Sequence, residues 1–173
     1  MAFLFMELEK QKKPKDPFKD CYNCALYYLA RRDYSRAKLK KKLKERGHEA
    51  SVANEVLDKL IEQNYLREDL YIEARIKGFI RKGHSFYAVG KKLQQEGCNA
   101  TLEEIQLVAE QMECDEDSIL RDLVEKKVRI DYDFVSNKQK LRERTLRYVA
   151  TRGHSISKAA HFYDQIISEF EEQ

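Results

Sequence analysis

The sequence predicts an all-α protein built from tandem three-helix repeats, and four observations carry that prediction. Breakers are scarce: the 173 residues contain six Gly and two Pro, and both prolines, Pro14 and Pro17, precede Cys21. Charged residues make up 36% of the chain against 42% apolar, a Lys-, Glu-, Arg- and Leu-rich mixture that favours helices. The apolar positions recur at helical spacing, and no stretch alternates convincingly enough to form a strand. Finally, the chain repeats itself. Laying Ser35 on Ser85 also lays Lys41, Lys42 on Lys91, Lys92, Leu43 on Leu93, Gly47 on Gly97, Ser51 on Thr101 and Leu57 on Leu107.

Taken in order, residues 1–20, with "EKQKKPKDP", read as a mobile arm. Repeat 1 spans 21–68. Its first helix, containing "ALYYLARRDY", ends at a corner, and a second starts at Ser35, whose hydroxyl suits an N-cap. That helix turns inward on Leu39 and Leu43 and stops at Gly47, suited to a left-handed C-cap. A third helix follows Ser51 with a stripe of Val52, Val56, Leu57, Leu60 and Ile61. Repeat 2 spans 69–115: "YIEARIKGFIRKGH", then a helix from Ser85 with Phe86, Val89 and Leu93 inward, then one from Thr101. "TLEE" there has capping-box spacing, and Leu102, Ile105, Val108, Ala109 and Met112 form its stripe. Repeat 3, 116–173, is irregular. A helix from near Asp117 leads through a connection at "RIDYDFVSN" to "KQKLRERTLRYVATRG". A last helix starts at Ser155 with Ile156, Ala159, Phe162, Tyr163, Ile166 and Ile167 inward.

The corners echo one another: "ARRDYS" at 30–35, "IRKGHS" at 80–85 and "ATRGHS" at 150–155. A Ser–His pair does chemistry only with a base in hydrogen-bond reach and a third group to orient it. Sequence neighbours at a helix start do not supply that geometry, and the first copy, Asp33, Tyr34, Ser35, has no histidine. The phrase therefore reads as a helix cap preceded by positive charge, with no catalytic residue in it.

The 33 basic and 30 acidic residues nearly cancel, leaving +3, so distribution rather than total charge is informative. Basic residues gather at the corners and the helices after them: Arg31, Arg32, Arg36, Lys38, Lys41 and Lys42, then Arg75, Arg81, Lys82, Lys91 and Lys92, then Arg147 and Arg152. Acid concentrates in "EEIQLVAEQMECDED" and "SEFEEQ". A segregated basic face suits phosphates or an acidic protein. Tyr27, Tyr28, Tyr34, Tyr71 and Tyr87 either interleave with that face to stack on bases or pack between helices. Cys21 and Cys24, in "CYNC", have neither a second CxxC nor a His pair at finger spacing and read as ordinary half-buried thiols. No metal or cofactor is expected. No apolar run approaches the roughly 20 residues of a membrane span, and "MAFLFM" is too short for a signal-peptide core. A cytoplasmic protein is expected.

The run "LARRDYSRAKLKKKLKERG", followed by "VLDKLIEQNYLREDLYIEARIKGFIRKGHS", resembles the RecX family of bacterial recombination regulators. Leu29, Ala30, Arg31, Arg32, Ser35, Leu39, Lys42 and Leu43 match the first part of the family pattern. Tyr65, Leu66, Glu68, Tyr71, Ala74, Arg81, Lys82 and Gly83 match the second, and "KQKLRERTLRYVATRGHS" is similar to the closing segment. Arg67, Phe79 and Gly90 depart from the pattern. The resemblance implies a curved, elongated stack of the repeats. It further implies a non-enzymatic regulator that binds the RecA recombinase filament and limits its ATPase, strand-exchange and coprotease activities. A monomer with weak, sequence-indifferent affinity for single- or double-stranded DNA is expected. A helix-turn-helix DNA regulator is the competing reading, since short helices joined at Ser or Gly corners describe that motif too. A thiol or zinc protein, resting on Cys21 and Cys24 alone, is the third.

Overall fold

A computed structural model describes residues 16–132 and 137–171, and the described residues are helical without a strand. Their contacts divide the chain into two compact units, 1–68 and 69–173.

In the first unit, α1 (Pro17–Leu29), α2 (Arg36–Glu45) and α3 (Ala50–Glu62) enclose one core. Asp16 caps α1, its carboxylate accepting from the N–H of Phe18 at 3.0 Å, and Pro17 sits in the first turn, where its missing N–H costs nothing. The stretch read as an arm thus turns helical at Pro17; its residues 1–15 lie outside the described residues. Cys21 and Ala25 from α1, Leu39 and Leu43 from α2, and Ala53, Val56, Leu57 and Leu60 from α3 are all fully buried. Each large aliphatic side chain so buried contributes about 1.5–3 kcal/mol. Ser35 caps α2, accepting from the N–H of Lys38 at 3.2 Å, and Gly47 ends it at φ +88°. The helix expected to follow Ser51 instead begins at Ala50, with Glu49 as N-cap and no side-chain cap bond.

The second unit holds α4 (Glu68–Ile80, all but its first residue), α5 (Phe86–Gln95), α6 (Leu102–Gln111), α7 (Glu116–Asp131), α8 (Lys138–Ala150) and α9 (Ile156–Glu171). Ser85 caps α5, accepting from the N–H of Ala88 at 3.2 Å. Thr101 and Glu104 form the expected capping box on α6, and Asp115 with Ser118 form another on α7. Two apolar clusters result. One joins α4, α5 and α6 and takes in Ile119 from α7; the other joins α7, α8 and α9 through Leu120, Val124, Val128, Leu141, Val149, Ala159 and Ile166. Helix α7 runs farther than the Leu and Val pattern suggested, leaving a short connection to α8 whose residues 133–136 lie outside the described residues.

Three residues expected in core stripes are largely exposed: Ile61 (41%), Leu102 (51%) and Ile156 (56%). Ile61 lies in the last turn of α3, and the other two are the first residues of their helices, beyond the packed contacts.

Candidate nucleic-acid and partner interface

The second and third corners meet. The N–H of Ser85 donates to the carbonyl of Arg152 at 3.0 Å, and the Ser85 hydroxyl donates to the carbonyl of Gly153 at 2.9 Å. In return His154 Nε2 lies 3.0 Å from the carbonyl of Gly83, which requires the proton on Nε2. The approach is too close for a side chain at Gly153, and one at Gly83 would have to displace Leu123. A Cβ on Gly153 would stand 2.7 Å from both the Ala88 Cβ and the Ser85 Oγ, and one on Gly83 would stand 2.7 Å from Leu123 Cδ1. Both glycines have left-handed backbone, φ +72° and +85°. The first corner differs: Asp33 stands in the glycine position without positive φ, so "ARRDYS" shares the serine cap and the basic pair but not the backbone turn.

Ser85 is buried and both roles of its hydroxyl are taken, as cap acceptor and as donor to Gly153. His84, 5% exposed, stands edge-on to Phe79 with ring centroids 5.9 Å apart. Burial, with the charges of Lys92 and Arg152, pulls its pKa down to about 4. Burial also lowers His154. Neither ring nor hydroxyl is presented to a substrate.

The basic residues fall into two sets. Some are engaged inside the fold. Arg36 pairs with Asp58 across α2 and α3, Lys42 with Glu45 at 2.7 Å, and Arg75 with Glu96, which also accepts from the Tyr71 hydroxyl at 2.9 Å. Lys38 is half-buried on α2. Lys92, half-buried, lies 5.8 Å from the Phe79 ring. The second set is presented to solvent: Arg31, Arg32, Lys41, Arg81, Lys82, Lys91 and Arg147. Several lie on aromatic faces. Arg31 is 4.0 Å from the Tyr27 ring, Arg32 4.7 Å from Tyr34 and Lys91 5.6 Å from Tyr87, while Arg152, half-buried and in neither set, is 4.8 Å from Tyr148. Of the tyrosines in question, Tyr34 and Tyr71 are buried, Tyr28 is half-buried, and Tyr27 and Tyr87 are exposed.

Beside the interlocked corners lies a cleft of about 480 Å³. Arg81, Lys82, Lys126 and Arg152 line it with one carboxylate, Asp122, and Ile80, Met112, Leu123 and Tyr148 supply apolar wall. Lys126 and Tyr148 escaped the sequence reading. The basic pair in "EKK" was the available signal for Lys126, but it reaches the corner only because α7 packs there.

The thiols are quiet. Burial, then Cys24 and Asp20, raises the Cys21 pKa to about 11, and burial raises Cys24 as well, so both are protonated at neutral pH. Among the described residues no cluster of His, Cys, Asp and Glu could hold a metal, and no helix is long and apolar enough to cross a membrane.

The family model for the first three-helix domain of RecX matches residues 21–60, the body of α1–α3. The Regulatory protein RecX of Trichlorobacter lovleyi is 39% identical over 77 residues, covering 44% of this chain and 48% of that protein. That of Syntrophotalea carbinolica is 25% identical over 155 residues, covering 86% and 97%. The chain is thus similar to RecX proteins, at the level of a matched first domain and of partial or distant relatives. For several RecX relatives, including that of Pseudomonas fluorescens at 34% identity, the match spans about half of the relative's length, here 47%. The fold agrees over more of the chain. The crystal structure of RecX from Lactobacillus salivarius matches with a TM-score of 0.66 at 17% identity, covering 87% of this chain and 97% of that one. A second RecX crystal structure gives 0.66 at 19%, covering 88% and 72%.

Proposed function

We propose that this protein binds the RecA recombinase nucleoprotein filament and inhibits its ATPase, strand-exchange and coprotease activities. It does so by occupying the filament groove or blocking filament extension, as a monomer in the cytoplasm. The observation that carries the reading is the set of solvent-presented cations at the corners, above all Arg31, Arg32, Arg81 and Lys82, with Arg31 on the face of exposed Tyr27. A nucleoprotein filament offers phosphates and acidic side chains to such groups, and many weak contacts sum without a deep pocket. Inhibition is by occupancy rather than turnover, in keeping with a buried, fully engaged Ser85. Affinity for free DNA is weak and indifferent to sequence.

The test replaces Arg31, Arg32, Lys41 and Lys42 together by Glu. Arg31, Arg32 and Lys41 are exposed, so helical circular dichroism is expected to persist. The concentration needed to inhibit RecA-dependent ATP hydrolysis on single-stranded DNA should rise by about tenfold or more, the loss expected when several phosphate contacts are reversed. Undiminished inhibition would sink this face as the contact surface.

A further inference from the structure

We propose that the cleft beside the interlocked corners of the second unit is a binding site for one nucleotide of a single-stranded nucleic acid. The inference rests on reading the basic corners as a contact surface, and it names which part of that surface meets nucleic acid rather than protein. Two kinds of wall meet in the cleft. Arg81, Lys82 and Lys126, all exposed, line it together with half-buried Arg152. Ile80, 4% exposed, and Leu123, 7%, form its floor, with Tyr148 alongside.

Four cations converge on the cleft with Asp122 as the one lining carboxylate. Among the described residues none of the four is in an ion pair. Four like charges held together with a single carboxylate among them repel one another, and a bound anion relieves that repulsion. Guanidinium groups in particular match the geometry of phosphate oxygens. The apolar floor separates the candidates. A protein carboxylate would satisfy the cations but leave uncovered the half-buried part of the apolar lining, Met112 among it. A nucleotide carries its phosphate and a flat apolar body together, and a volume of about 480 Å³ falls within the range of small-ligand sites. In a duplex the base would be stacked and paired; in a single strand it is free to turn onto a protein surface. The walls are preorganised, because the bonds between Ser85, Arg152 and Gly153 and between His154 and Gly83 hold both sides in place before any ligand arrives.

The experiment is fluorescence anisotropy of the full chain, without recombinase, on labelled oligothymidylate. A strand of equal phosphate count lacking bases and a polyglutamate of equal charge serve as competitors. The chain should prefer oligothymidylate over the baseless strand by about fivefold or more, as stacking of a base implies. The double variant R81Q and K126Q changes exposed residues only and should keep its melting curve. It should bind oligothymidylate about tenfold more weakly, with a salt dependence shallower by about 0.7 for each phosphate that the variant no longer neutralises. The proposal is overturned if the double variant binds as the parent does, or if the baseless strand or polyglutamate competes equally well. The latter result would mark a charge patch for acidic protein. With no recombinase present, failure of the filament reading leaves this assay unaffected.

Discussion

His84 is a titratable group buried where its charged form is disfavoured. Burial dominates, and Lys92, Arg152 and His154 add repulsion. Its folded pKa of about 4 lies below the ordinary 6.5, so between those values the unfolded chain binds more protons than the native one. The native state therefore keeps its full stability above pH 6.5 and loses it as the pH falls toward 4. At pH 5 this one ring accounts for about 2 kcal/mol. The melting midpoint should drop by roughly 5 °C between pH 7 and pH 5, with His154, lowered by burial, adding in the same direction. In His84→Asn the drop should shrink, although the midpoint at pH 7 is itself lower. A midpoint equally pH-sensitive in parent and variant would refute the assignment. The histidine was visible in "IRKGHS", but its burial was not: the first corner carries Tyr34 at that place and looks interchangeable with it.

At the scale of elements, α2 and α5 each borrow a cap from the helix that comes after next in order. The N–H of Arg36 donates to Glu68 at 3.0 Å, and the N–H of Phe86 donates to Glu116 at 3.0 Å. Ser35 and Ser85 satisfy a second N–H in each first turn, so two of the four orphan donors are met by side chains. A carboxylate at a helix N-terminus also opposes the positive end of the dipole. Glu116→Ala should cost about 0.5–2 kcal/mol, read as a melting midpoint lower by roughly 2–6 °C. Glu116→Gln, which keeps an acceptor, should recover about half. Equal losses would show that the contact is packing and not a cap. The serine caps were legible because cap and helix are neighbours in sequence. The glutamates were not, since each stands about 30 residues from its N–H. Ser51 misled for the converse reason: it has a capping side chain, but the chain turns helical before it, at Ala50.

For the whole molecule, the two stretches read as repeats 2 and 3, 69–115 and 116–173, are tied together by contacts. Ile119 of α7 belongs to the core of α4–α6, Glu116 caps α5, and residues 152–154 bind residues 83 and 85. Residues 69–173 expressed alone should melt cooperatively with helical circular dichroism. Residues 69–115 alone should lose the sharp transition, for they surrender a core residue, a cap and the corner bonds together. A cooperative melt of the shorter piece would show that its own cluster is sufficient.

What this sequence determined unaided is what short stretches encode: the helices, the serine and threonine caps, most of the core stripes and the positions of the basic residues. Propensity, period and capping act over a few residues, so they can be read along the chain. Only the tertiary structure decided which cations are neutralised, as Arg36 is by Asp58 and Arg75 by Glu96, and which stay open, as Arg81 does. It also decided that two of the three echoed corners interlock through glycines and enclose a cleft with Lys126 and Tyr148. Those pairings join residues tens of positions apart, and they exist only after the cores have packed and set the helices against one another.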